Sequence, residues 1–122
     1  MLKKNNLFFK KLASFKKNIA LILENHKSIT YNELLTNSKK ISKKLNKKKK
    51  IVFLLGKNNL ETIIGYIAFV NQGYAVMLLD FKINNLFLKN LISIYKPNYI
   101  FCDKKKVANR NTYKSILRFK GY

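Results

Sequence analysis

The residues of this chain that could do chemistry are few and lie far apart. Lys57 stands between Gly56 and Asn58, after an apolar run and before a helix-like pattern, which is where a phosphate-binding turn would sit. A P-loop also needs an earlier glycine and a Ser or Thr after the lysine. Both are missing, so Gly56-Lys57-Asn58 reads as a plain βα turn with weak anion attraction at the helix start. Glu61 and Asp80 are too few and too separated to form a catalytic pair. Cys102 closes an apolar stretch and reads as a small buried residue. His26, the single histidine, lies beside Lys27 and Ser28 with no carboxylate or cysteine cluster near it, which fits an exposed turn rather than a metal ligand. No catalytic, cofactor-binding or metal-ligating residue is assigned on these grounds.

Charge is the next signal. Against 5 acidic residues the chain carries 26 basic ones, a net charge of +21, a balance that ordinarily points to nucleic acid or an anionic membrane surface. Only Arg110 and Arg118 are arginines, whereas bidentate recognition of phosphate and guanine favours arginine. Asparagine is abundant too, as at Asn5, Asn6, Asn58, Asn59, Asn84 and Asn85, and a Lys, Asn, Ile and Phe excess is what an AT-rich genome encodes by default. Codon bias therefore precedes binding as the explanation. A single cysteine excludes an internal disulfide and fits a reducing cytoplasm. The lysine-interrupted start, MLKKNNLFFKKLASFKK, lacks the continuous apolar segment of a signal peptide.

At 122 residues and 48% hydrophobic composition the chain has material for one core and one domain. Leu7, Phe8, Leu12 and Phe15 recur at helical spacing among lysines and predict a short amphipathic helix. Ile19 to Leu23 and Ser28 to Tyr31 are β-prone runs separated by Glu24-Asn25-His26-Lys27, the pattern of a hairpin. Thr30 and Glu33 form a capping box opening a helix whose inner face is Leu34, Ile41 and Leu45. Its other face carries Lys39, Lys40, Lys43 and Lys44 and runs into Lys47 to Lys50, which reads as a solvated face and loop.

Ile51 to Leu55 has strand length. A second capping box, Asn58 with Glu61, is expected to start a helix through about Asn71, apolar nearly all round at Leu60, Ile63, Ile64, Ile67, Ala68 and Phe69 and hence buried. Thr62 to Leu79 is uncharged and long enough for a membrane span, but Asn71-Gln72-Gly73 interrupts it. A helix capped by a left-handed Gly73, then a strand from Ala75 to Leu79, accounts for the same residues, so no span is expected. A third helix from Asn84 or Asn85 to Tyr95 stops ahead of Pro97, and Tyr99 to Cys102 is a further strand. Apolar strands alternating with helices predict an α/β fold: a β-hairpin followed by helices and parallel strands, the sheet covered on both sides by right-handed crossovers. After Asp103 the pattern dissolves.

Taken together, these segments resemble the opening of adenylate-forming enzymes, the AMP-dependent synthetase and ligase superfamily of acyl-CoA synthetases and peptide-synthetase adenylation domains. The resemblance rests on Thr30-Tyr31-Asn32-Glu33-Leu34 after a hairpin strand, then a strand ending in a small turn and Asn58-Asn59-x-Glu61. It continues with a helix closing on Gly73 and a strand into Leu79-Asp80, and it covers about Phe8 to Asp103. The family usually has a proline near the Leu-Asp pair, which Met77 to Phe81 lacks.

The resemblance implies that residues 1–122 are an incomplete N-terminal segment of such an enzyme. The full-length family joins a carboxylate to the α-phosphate of ATP with Mg²⁺, releases pyrophosphate, and then forms a thioester. It grips the phosphates with a Ser/Thr/Gly-rich loop. The four glycines here, Gly56, Gly65, Gly73 and Gly121, are isolated, so this segment is expected to bind no cofactor alone and to be inactive. Its implied partner is the remainder of the enzyme, in cis or as a separate chain. Coding sequence beyond Tyr122 is expected to supply a strand and the phosphate loop within about one to three dozen residues. Two alternatives stay open: a lysine-rich non-enzymatic α/β module that touches nucleic acid or anionic surfaces through Lys39 to Lys50 and Lys104 to Lys106, and a structural partner that completes the sheet of a separately encoded catalytic chain.

Overall fold

The computed structural model describes residues 11–45 and 51–103. The predicted N-terminal helix therefore lies partly outside the described residues. Within them, Ala13–Phe15 form one 3-10 turn, with Leu12 packed on the core and Phe15 about half exposed. Strands β1 (Ile19–Ile22) and β2 (Ser28–Thr30) pair antiparallel as expected, with a register shift between Ile19 and Leu21. His26 turns the chain between them at φ 61°, exposed, its N–H donating to the Leu23 carbonyl at 2.8 Å.

Helix α1 (Tyr31–Ser42) starts on the predicted box. The Glu33 N–H donates to Thr30 Oγ1 at 3.2 Å, and the Thr30 N–H donates to Glu33 Oε2 at 2.8 Å. Leu34, Ile41 and Leu45 are buried and the four lysines of the opposite face are exposed. Lys47 to Lys50 lie outside the described residues.

Strand β3 (Ile51–Gly56) is followed by α2 (Leu60–Asn71), β4 (Ala75–Asp80), α3 (Asn85–Tyr95) and β5 (Tyr99–Phe101). The uncharged run thus divides into helix and strand, and among the described residues no helix is long and apolar enough to cross a membrane. Gly73, at φ 81°, ends α2 in a Schellman motif. The Tyr74 N–H donates to the Phe69 carbonyl and the Gly73 N–H to the Val70 carbonyl, both at 3.0 Å, while the Phe69 and Tyr74 rings meet at 5.5 Å. Asn84 caps α3, donors coming from the Leu86 and Phe87 N–H groups.

The parallel sheet has the order β4-β3-β5, with Val52 opposite Val76 and Tyr99. Because side chains alternate, Val52, Leu54, Val76 and Phe101 face α2 and α1, and Phe53, Leu55, Met77 and Leu79 face α3. Among the described residues central β3 is the best covered, with Val52, Phe53, Leu54 and Leu55 fully buried.

Three expectations need correction. The second helix is capped by Asn59, not Asn58: the Thr62 N–H donates to Asn59 Oδ1 at 3.0 Å, so Glu61 is not the partner of a capping box. The Thr62 hydroxyl decides this shift, because it both donates to Asn59 Oδ1 and accepts the Lys57 N–H. Ile63 is not buried; it is 36% exposed, and Tyr66 one turn later is 39% exposed. Finally, among the described residues β4 lies at the edge of the sheet, Leu78 is 59% exposed, and the sheet is not covered on both sides along its whole width.

Candidate functional site

In an open parallel sheet ligands bind beyond the carboxyl ends of the strands, where the chain reverses its direction of winding. Here β3 leads to β4 on one side and β4 returns to β5 on the other, so that point is the crevice between β3 and β5. Lys57 leaves the end of β3 and Asp103 follows β5, and both reach into it.

The two meet there. Lys57 Nζ lies 2.6 Å from Asp103 Oδ2 and 3.9 Å from the centre of the Phe81 ring, with both charged side chains mostly shielded from solvent. A cation held between a carboxylate and an aromatic face has its charge satisfied inside the protein, so the crevice is bridged by an ion pair. The turn beneath it is equally occupied. A Cβ on Gly56 would sit 3.2 Å from Thr62 Cγ2, so the first turn of α2 packs closely on the strand end. The Lys57 N–H donates to Thr62 Oγ1 at 3.0 Å, and the Phe81 N–H donates to the Gly56 carbonyl at 3.2 Å.

The other singled-out residues do not join this cluster. Asp80 accepts the Lys82 N–H at 2.7 Å within its own turn, and Glu61 is half-buried on the first turn of α2. Cys102 is half-buried against the α3 side of the sheet rather than fully enclosed, because among the described residues β5 lies at the sheet edge. Sequence reasoning missed Asp103 and Phe81 as partners of Lys57. The available signal was positional: each follows the carboxyl end of a parallel strand, and such ends converge on one rim.

The resemblance implies ATP and Mg²⁺ for a whole enzyme, not for this rim by itself. Among the described residues no group of three His, Cys, Asp or Glu side chains could hold a metal, and no buried side-chain nitrogen or oxygen is left without a hydrogen-bond partner. The rim's lysine is engaged by Asp103. No reaction step is assigned to it.

Comparison with known proteins defines the class of fold: over this stretch it is shared with MatB, o-succinylbenzoate coenzyme A synthetase and a luciferase-like enzyme. MatB from Rhodopseudomonas palustris matches 80% of this chain at 20% identity and a TM-score of 0.68, over 21% of its own length. O-succinylbenzoate coenzyme A synthetase (MenE) from Bacillus subtilis, solved with ATP and magnesium ion, matches 80% at 21% identity and a TM-score of 0.70, over 28% of its length. A luciferase-like enzyme from the mealworm Zophobas morio matches 80% at 24% identity and a TM-score of 0.68, over 24% of its length. The chain thus spans about a quarter of the solved chains it resembles. No family model and no curated protein matches it.

Proposed function

We propose that this chain is the N-terminal scaffold section of an AMP-forming, carboxylate-activating ligase and that it forms no acyl adenylate alone. The observation that carries the reading is the joint match of fold and motif. Four-fifths of the chain shares its fold with MatB and MenE, both solved with ATP, and within Thr30-Tyr31-Asn32-Glu33-Leu34 the pair Thr30 and Glu33 builds the capping box at the start of α1. In the reaction the family resemblance implies, ATP and a carboxylate yield an acyl adenylate and pyrophosphate, and a thiol then takes the acyl group. Backbone N–H groups that cradle phosphates need a run of small residues, and the four isolated glycines of this sequence supply none. The chain's contribution is therefore a sheet on which other residues place the chemistry, in the cytoplasm, with the remainder of the enzyme in cis or as a separate chain.

The test is carboxylate-dependent exchange of labelled pyrophosphate into ATP with the purified chain across a panel of carboxylates. The expected result is a rate equal to the no-enzyme control. Exchange that co-purifies with the chain through a second chromatographic step would overturn the proposal.

A further inference from the structure

The end of α1 and the turn that follows it concentrate charge in a way the fold does not need. Lys39 and Lys40 in the last helical turn, Lys43 at the C-cap and Lys44 just beyond it are all exposed, and the two pairs are three to five residues apart. Spacings of i,i+3 and i,i+4 bring like charges within about 5–6 Å at Cβ, where they repel each other. The only acidic residue of α1, Glu33, sits in its first turn and is committed to the capping box. Among the described residues the one ion pair shown is Lys57 with Asp103, on the sheet rim. Lysine at a helix C-terminus complements the helix dipole, which accounts for one or two of these residues but not for four without an acidic neighbour. An open hollow beside them is lined by Lys39, Ser42, Lys43, Leu45 and Gln72, again without a carboxylate.

We propose that this lysine face of α1 is the chain's contact surface for the phosphate backbone of nucleic acid. Two observations favour that polyanion over others. The apolar face of α1, Leu34, Ile41 and Leu45, is buried in the core, so the helix has no free apolar side to insert into a bilayer. The patch presents lysines, which meet repeated phosphates as point charges without the bidentate recognition that arginine would add. Lysine reads no bases in this arrangement, so binding is blind to sequence and driven by counterion release. The face is remote in sequence from the sheet rim, and the proposal stands or falls independently of the ligase reading.

The test compares the full chain with two fourfold variants: Lys39, Lys40, Lys43 and Lys44 to Gln, and, as a charge-matched control, the exposed Lys16, Lys17, Lys82 and Lys89 to Gln. Fluorescence anisotropy of a mixed-sequence 20-base-pair DNA duplex is read from about 50 to 200 mM salt, the range over which phosphate contacts are lost steeply. The α1 variant is expected to lower the slope of log K against log salt by about 3, with the control changing it by less than about 1. Gln preserves helix propensity, and circular dichroism checks that both variants fold. As a readout on the unmodified protein, the duplex is expected to protect Lys39, Lys40, Lys43 and Lys44 from acetylation, detected by mass spectrometry. Equal loss in both variants, absence of protection, or tighter binding to phosphatidylserine vesicles than to duplex would each overturn the assignment.

Discussion

Gly65 shows how one missing methyl group can set the distance between two layers. It lies mid-helix in α2, where glycine costs about 1 kcal/mol relative to alanine. An added Cβ would stand 2.5 Å from Phe101 Cε1 and 2.8 Å from its Cδ1. Phe101 is itself held by Phe69 at 5.7 Å, so the ring has little room to retreat. Gly65→Ala is therefore expected to destabilise the chain by about 1–3 kcal/mol despite its better helix propensity, the usual cost of overpacking. Urea denaturation measures the loss, and adding Phe101→Leu is expected to recover part of it. Tyr74 makes a second residue-scale case. Burial, and secondarily the neighbouring Tyr99 phenol, push its pKa from the ordinary 10.0 up to about 12. Between those values the unfolded chain releases the proton while the folded chain retains it, so stability present below pH 10 declines as pH rises towards 12. Melts across that window are expected to show a shallower decline in Tyr74→Phe.

Caps explain why the helices start where they do. Removing the Thr30 hydroxyl withdraws the acceptor of the Glu33 N–H, and Thr30→Ala is expected to cost about 1 kcal/mol. Asn59 does more than cap α2: its Oδ1 also accepts the Thr62 hydroxyl, which in turn accepts the Lys57 N–H. Asn59→Ala is thus expected to cost more than Asn58→Ala, by at least about 1 kcal/mol, since Asn58 is exposed and plays no part in that cap. Equal losses in a denaturant series would return the cap to Asn58. This element also marks a limit of pattern reading. Asn58-x-x-Glu61 and Asn59-x-x-Thr62 are both legitimate cap spacings, and only the turn geometry beyond Gly56 chooses between them.

At the scale of the whole molecule the exposed apolar residues are the leading feature. Leu78 on edge strand β4 is 59% exposed, and on α3 Leu86, Phe87 and Ile94 are 70%, 56% and 69% exposed. An edge strand whose one charge, Asp80, lies at its end and which holds an apolar side chain in solvent is a template for pairing with another chain. The isolated protein is expected to associate through that edge and to melt over a broad range. Leu78→Lys is expected to reduce light scattering at equal concentration without lowering the midpoint, because the side chain it replaces is mostly in water. A sharp, concentration-independent melt of a monomer would show instead a self-sufficient domain.

Periodicity and capping chemistry are local, and so the sequence by itself determined the hairpin, the three helices, the parallel strands and the division of the uncharged Thr62 to Leu79 run at Gly73. Each depends on residues within about one turn of one another, and the resemblance to adenylate-forming enzymes follows from their order. What lay beyond the sequence was pairing across distance. Nothing local tells that β3 is the central strand, so the exposure of Leu78 and the partial burial of Cys102 had to wait for the sheet order β4-β3-β5. Likewise, the fate of Lys57 was decided by Asp103, 46 residues away, which becomes its neighbour only because parallel strands deliver their carboxyl ends to the same rim.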